Sequence, residues 1–130
     1  MFGMFRKKNK SPLTISGEYN GSYSSIKQKV LSAELIFSEN GISFIFDKGI
    51  KQLVKTFGWD EVSGFDFKSS KNGKDIIFNT MLYLVDGEYI LLNETIAHND
   101  VQAANEYASK IYYKKVKQFV LEKLTSDSEK

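Results

Sequence analysis

The stretch LSAELIFSENGISF, residues 31–44, decides the fold because it carries the hydrophobic pattern of a β-hairpin. Apolar and polar side chains alternate on both sides of SENG, and a half-buried strand hides every second side chain. Asn40 and Gly41 both tolerate positive φ, which suits a tight hairpin turn. The stretch, extended by two residues, is therefore predicted to form two antiparallel strands, whose inward faces carry Ala33, Leu35, Phe37, Ile42, Phe44 and Phe46.

Five further segments with the composition and spacing of strands surround this hairpin. The polar run between the first two strands, residues 20–29, is predicted to be a long loop or an irregular edge. Turn signals separate the later segments, at Asp47–Gly49, Asn72–Gly73 and Asp86–Gly87. Seven antiparallel strands in a meander are predicted, the other five marked by Leu13, Ile15 and Tyr19, by Leu53, Lys55 and Phe57, by Val62, Phe65 and Phe67, and by the runs DIIFNTMLYLV and EYILLN.

The C-terminal part of the chain changes period. Residues 99–124 contain no glycine or proline, and their apolar residues recur at steps of three and four, which indicates an amphipathic helix. We predict a basic, apolar-tipped tail at residues 1–11, one domain at 12–124 and a frayed end at 125–130. The apolar face of the helix is predicted to comprise Val101, Ala104, Ala108, Ile111, Tyr112, Val116, Phe119 and Val120.

Composition favours one compact domain. The 130 residues include 42% hydrophobic side chains, a single proline and no cysteine, so disulfide and thiolate chemistry are excluded. The longest apolar runs, MLYLV and YILL, are far shorter than the ~20 residues that span a bilayer. A cytoplasmic protein is predicted, peripheral at the inner membrane face if the tail binds lipid.

This order of elements, together with the LSAELIFSENGISF hairpin and the GWDEV step at residues 58–62, resembles a bacterial pleckstrin-homology-like (PH-like) domain. The resemblance covers residues 13–124 and implies a mainly β fold, an open barrel of about seven antiparallel strands capped by one long C-terminal helix. It also implies an interaction module and, since some bacterial members assemble into rings, a homo-oligomer. Lys27 and Lys29 are the only basic residues near the first hairpin, which argues against inositol-phosphate recognition.

Nucleic acid is not a predicted partner. The net charge of +2 arises in the tail, and residues 11–130 carry more acidic than basic side chains. Arg6 is the only arginine, whereas bidentate reading of guanine or phosphate uses the planar guanidinium group.

The aromatic stretch FGWDEVSGFDF, residues 57–67, has the look of a site but is predicted to be scaffold. Trp59 is expected to pack across a sheet edge or between sheet and helix, Asp60 to stay solvated at a turn, and Val62 to begin the next strand. Paired carboxylates for acid–base work must face one another, whereas neighbours on an extended chain, such as Asp60 and Glu61, point to opposite sides. His98 is the only histidine and has no partner ligand in the sequence. No enzyme, cofactor or metal site is predicted.

Binding is the predicted function, to a protein partner or to an anionic membrane surface. The tail is the candidate membrane contact, because apolar side chains precede a basic cluster that would meet lipid headgroups. An exposed sheet edge that accepts a partner strand is a further candidate. The alternative is a barrel that binds a small apolar ligand among Phe44, Phe46, Phe65 and Phe67. The membrane-contact candidates are Phe2, Phe5, Arg6, Lys7, Lys8 and Lys10.

Overall fold

The computed structural model describes residues 13–48, 50–73, 75–96 and 102–128. These residues form seven strands and one helix, and a single 3-10 turn, Trp59–Glu61, connects the fourth strand to the fifth. The elements are β1 (Leu13–Tyr19), β2 (Val30–Ser38), β3 (Gly41–Lys48), β4 (Lys51–Phe57), β5 (Val62–Asn72), β6 (Asp75–Leu84), β7 (Tyr89–Ile96) and α1 (Gln102–Ser128).

All strand pairs are antiparallel and belong to one sheet. The order across the sheet is β4-β3-β2-β1-β7-β6-β5, so strands that follow one another in sequence lie side by side, except β4 and β5, and β1 pairs with β7. The predicted mainly β fold, with seven antiparallel strands followed by one C-terminal helix, is confirmed. In the ladders that the structure describes, β4 and β5 are the two ends of the sheet and do not pair with each other, which leaves the sheet open.

The core follows the period-two pattern because alternate side chains of each strand point to the same side of the sheet. The inward faces of the β2–β3 hairpin pair directly, with Leu35 opposite Phe44 and Phe37 opposite Ile42. β6 shows the same alternation over its whole length. The largest fully buried side chains are Tyr19, Phe37, Phe44, Phe57, Phe78, Leu35, Ile42, Leu82, Ile90, Leu92 and Val116.

Two turns lie one or two residues away from their predicted positions. Ser38 pairs with Gly41, so Glu39 and Asn40 form the connection and Gly41 is the first residue of β3. Gly41 has φ 147°, and a Cβ there would collide with the carbonyl oxygen of Phe57. Glycine is therefore needed for close approach of β4 rather than for the turn itself. The next turn also moves: β3 continues through Lys48, which pairs with Lys51.

The helix ends later than predicted and presents a slightly different face. It continues to Ser128 instead of ending near Leu124, since residues 125–128 contain no helix breaker and Leu124 packs against the core. Ile111, expected in the core, is half exposed, whereas Tyr113 is buried with Val116 and Val120. Tyr113, Val116 and Val120 are spaced by three and four residues and so lie on one face of the helix. This buried face is rotated about the helix axis relative to the predicted one. The predicted start near residue 99 lies outside the described residues.

Two tyrosine hydroxyls fix the helix to the sheet. The Tyr112 hydroxyl accepts a hydrogen bond from Thr14 N–H at 2.7 Å and donates one to Thr14 C=O at 2.8 Å. The Tyr113 hydroxyl donates to Glu94 Oε1 at 2.6 Å. Burial, together with the neighbouring Glu94 carboxylate, raises the pKa of Tyr113 well above its ordinary value. The helix thus binds one residue of β1 and one of β7.

Candidate interaction site at the β4 edge

Trp59 lies between the sheet and the helix. The residue is 8% exposed, and its ring contacts the Phe119 ring edge to face, with 6.0 Å between centroids. The indole Nε1–H donates to the carbonyl oxygens of Ser38 at 3.0 Å and Glu39 at 3.2 Å. Of the two positions expected for this side chain, the one between sheet and helix is observed.

The neighbours of Trp59 shape the turn between β4 and β5. The Glu61 carboxylate accepts a hydrogen bond from Gly58 N–H at 3.0 Å, and Glu61 N–H donates to Gly58 C=O at 2.9 Å. Asp60 is exposed, and Val62 is buried at the start of β5. Glu61 is therefore occupied in closing the turn. Among the described residues, no group of three or more histidine, cysteine, aspartate or glutamate side chains could hold a metal ion.

The membrane-contact candidates lie outside the described residues. These are Phe2, Phe5, Arg6, Lys7, Lys8 and Lys10, and the same holds for His98. In the part of the chain that the structure describes, no helix is long and apolar enough to cross a membrane.

The four phenylalanines proposed to line a ligand cavity each contact another aromatic ring. Phe44 and Phe46 pack against Tyr19 at centroid distances of 4.9 and 6.5 Å. Phe65 meets Phe37 at 5.5 Å, and Phe67 meets a ring of the helix at 5.3 Å. Such contacts are typical of a packed core, in which each ring fills space left by its neighbours.

A shallow cleft opens where β1 and β7 diverge. The two strands pair only at Glu18 with Asn93 and at Tyr19 with Leu92. Beyond that point a cleft of about 310 Å³ is open to solvent. Polar groups dominate its walls, which suits water better than an apolar ligand. The lining residues are Ser16, Gly17, Glu18, Leu31, Ser32, Asn93, Glu94 and Thr95.

Strand β5, at one end of the sheet, is approached by the helix. Lys117 Nζ lies 3.2 Å from Asp66 Oδ1, and the Tyr113 ring contacts Phe67 at 5.3 Å. The Phe67 backbone N–H donates to Asp66, and this bond, with Lys117 beside it, holds the pKa of Asp66 below its ordinary value. The helix therefore contacts the middle of β5, at Asp66 and Phe67, whereas residues 68–71 are exposed.

Strand β4, at the other end, presents most of its side chains to solvent. Of its seven residues only Phe57 is buried and Leu53 half-buried. Val54 is 55% exposed in the middle of the strand, and Ile50, just before it, is fully exposed. The polar remainder of the strand, Lys51, Gln52, Lys55 and Thr56, is exposed as well. A strand of this kind offers a partner both side chains and backbone.

The pairing of β4 with β3 determines which backbone N–H and C=O groups of β4 point away from the sheet. Lys48 and Lys51 pair across a two-residue connection, so they exchange hydrogen bonds with each other. In an antiparallel ladder the backbone N–H and C=O groups of every second residue point to the same neighbour, so Lys51 and each alternate residue after it direct these groups to β3. The intervening residues direct their N–H and C=O groups away from the sheet. Those three outward-facing residues are Gln52, Val54 and Thr56.

The polar run at residues 20–29 borders this strand. Tyr23 packs edge to face against Phe57 at 5.7 Å. The buried Tyr19 hydroxyl organises the run, because it accepts from Tyr23 N–H at 2.9 Å and donates to Ile26 C=O. Burial is the main cause that raises the pKa of Tyr19. A hydrogen-bonded loop, not an irregular strand, therefore supports the buried end of β4.

The sequence showed that β4 exists but not that it is an edge. The segment KQLVKTF combines strand-forming residues with two lysines, and charged side chains are common on edge strands. The same composition also fits an inner strand with one solvated face. Only the order of strands in the sheet distinguishes an edge strand from such an inner strand. We therefore define the β4 edge as Lys51, Gln52, Leu53, Val54, Lys55 and Thr56.

Comparison with known proteins gives no match at any level. No family model, curated protein or solved structure matches this chain.

Proposed function

We propose that this chain is a non-enzymatic interaction module of the PH-like class that binds a protein partner as an added strand along the β4 edge. The single observation that carries the proposal is that, within the described residues, β4 pairs on one side only, with outward backbone groups at Gln52, Val54 and Thr56. A partner strand gains main-chain hydrogen bonds at such an edge, and its alternate side chains meet those of the host.

The element order supports the PH-like part of this proposal. Seven antiparallel strands followed by one helix are the layout that the resemblance implies, and here the helix packs on β5 and the 3-10 turn at one end of an open sheet. The packed rings of Phe44, Phe46, Phe65 and Phe67 favour a module with a solid core over a carrier of small apolar ligands.

The test uses three extended peptides of sequence X-Val-Leu-Thr-X, in which X is Gln, Glu or Lys, with Gly-Ser at each end. Backbone amide resonances and their hydrogen exchange are recorded for the full chain with each peptide. We expect at least one peptide to shift the resonances of Gln52, Val54 and Thr56 and to slow exchange of their N–H groups. If no peptide protects these amides, the proposal is wrong.

Two matched variants at one position separate backbone pairing from side-chain contact. Val54→Pro removes an outward N–H without removing a bond to β3, which an edge strand tolerates. Val54→Thr keeps both the N–H group and the branched shape. Peptide binding should be lost in Val54→Pro and kept in Val54→Thr, with the dispersion of the spectrum confirming that both variants fold. Equal binding by the two variants would contradict strand addition.

A further inference from the structure

The β4 edge carries two lysines on one face. Lys51 and Lys55 are four residues apart, so their side chains point to the same side of the strand with Leu53 between them. Both are exposed, and in the part of the chain that the structure describes neither forms an ion pair. Lys55 Nζ lies 5.6 Å from the centroid of Phe57, which holds the ammonium group close to its own strand.

No acidic group of β4 offsets these two charges. The strand sequence KQLVKTF contains no carboxylate. The acid of β3 in this register, Asp47, pairs with Gln52 and so lies on the opposite face from Lys51 and Lys55. An added strand would therefore meet only positive charge on the Lys51 and Lys55 face of β4.

The register of an added strand follows from the outward backbone groups. Because Gln52, Val54 and Thr56 would exchange hydrogen bonds with it, Lys51, Leu53 and Lys55 would stand in its non-hydrogen-bonded pairs. Side chains are closer in such pairs, with Cα atoms about 4.5 Å apart. A charged residue opposite Lys51 or Lys55 would consequently interact electrostatically with that ammonium group at close range.

A second copy of the chain fits this edge poorly. In a two-fold antiparallel pair centred on Val54, each Lys55 would face Leu53 of the other copy. It would also lie diagonally from both lysines of that copy's β4. Four ammonium groups would then share one face, and like charges across neighbouring strands are destabilising.

We infer that the partner of the β4 edge is an acidic extended segment. In antiparallel addition it carries one carboxylate opposite Lys55 and another four residues later opposite Lys51. Apolar side chains lie between them, opposite Val54 and Leu53, and a polar one lies opposite Gln52. The pattern read along the partner is acidic, apolar, apolar, polar, acidic. This inference rests on the proposed strand addition and adds the chemical class of the partner.

The same three peptides test the charge preference, now by titration at low salt. The peptide with Glu at both X positions should bind roughly tenfold tighter than the Gln peptide, with the Lys peptide weakest. Added salt should reduce the difference, because exposed charges are screened. Equal affinity of the Glu and Gln peptides, with Val54 still protected, would overturn the acidic partner and leave strand addition standing. Failure of all three peptides would overturn both.

Charge variants locate the preference on the strand. In Lys51→Glu/Lys55→Glu the order should reverse, so that the Lys peptide binds best. The matched control, Lys71→Glu/Lys114→Glu, changes the net charge equally at exposed positions on β5 and α1 and should keep the original order. Reversal in both variants would place the effect in overall charge, and reversal in the control alone would place it elsewhere on the surface; either result would overturn the inference.

Sedimentation of the full chain without peptide completes the test. A monomer whose mass is unaffected by Val54→Pro agrees with an acidic partner. A dimer that Val54→Pro dissociates would show that a second copy occupies the edge and would overturn the inference.

Discussion

The Trp59 ring meets the Phe119 ring at 6.0 Å, and this contact joins the turn between β4 and β5 to the C-terminal helix. The same indole donates to the β2–β3 turn through Ser38 and Glu39. Three parts of the chain that are distant in sequence therefore meet at one side chain. In the aromatic stretch at residues 57–67, Trp59 thus links the β2–β3 turn to the C-terminal helix.

Replacing Trp59 should destabilise the protein strongly. Trp59→Ala removes the ring and leaves a cavity, which costs about 3 to 5 kcal/mol in a core. Trp59→Phe keeps a ring but loses the indole hydrogen bonds and should cost less. Urea unfolding followed by circular dichroism measures both. The exposed neighbour gives the control: Asp60→Ala should stay within about 0.5 kcal/mol of the original chain. A cost for Trp59→Ala no larger than this would contradict the role assigned to the indole.

Tyr112→Phe should weaken the attachment of the helix to β1. The hydroxyl satisfies both backbone groups of Thr14 on the side where no described strand pairs with that residue, so its loss should cost about 1 to 3 kcal/mol. Hydrogen exchange at Thr14 N–H should become faster in the same variant. Ile111→Ala, at a half-exposed position one residue earlier, is the control and should leave that exchange rate unchanged. Unaltered exchange at Thr14 in Tyr112→Phe would refute the bridge.

Stability should fall as the pH rises above the ordinary tyrosine pKa of 10.0. Tyr113 keeps its proton in the folded protein, because its pKa is raised, while the unfolded chain loses that proton. The unfolded state is thereby favoured as pH increases. Tyr113→Phe should be less stable at neutral pH, through loss of the bond to Glu94, yet should show a shallower alkaline decline. Part of the decline should persist, since the pKa of Tyr19 is raised as well.

Urea midpoints between neutral and strongly alkaline pH measure this effect. Glu94→Gln is the informative comparison, because it leaves the burial of Tyr113, the largest cause of its raised pKa, in place. Most of the alkaline decline should therefore remain in Glu94→Gln. An identical decline in Tyr113→Phe and the original chain would show that another group is responsible.

The basic tail remains a predicted membrane contact. Arg6, Lys7, Lys8 and Lys10 would contribute about 1 kcal/mol each near an anionic surface. The full chain should therefore sediment with anionic liposomes at low salt, less so at high salt, and not at all without residues 1–10. Neutral liposomes control for adsorption through Phe2 and Phe5 alone. If the full chain stays in the supernatant under all conditions, the membrane prediction is wrong.

Local pattern was sufficient for most of the fold. The alternation through Leu35, Phe37, Ile42 and Phe44 predicted a hairpin, and these four side chains are fully buried. Turn positions were less accurate, because Asn40–Gly41 is a turn signal while Gly41 is required for close packing on Phe57. A glycine required for packing and one required for a turn look the same in a sequence.

The candidate site was less predictable than the fold. Lys55 was assigned to a strand, but its position at the end of the sheet depends on which other strands pair, and that depends on the whole chain. Tyr113 was missed for a related reason. A helix with apolar residues on several sides buries the stripe that best fits the sheet, and here that stripe runs through Val116 and Val120.

The sequence by itself determined the number and type of elements, because hydrophobic periodicity is a local property that each strand and helix carries independently. Tertiary structure alone decided which strand became the edge, where the helix docked and which hydroxyls bound which backbone groups. Thr14 and Tyr112 are 98 residues apart, and no local pattern specifies that they meet. Such contacts form only when burial of the whole core selects one arrangement of strands and helix.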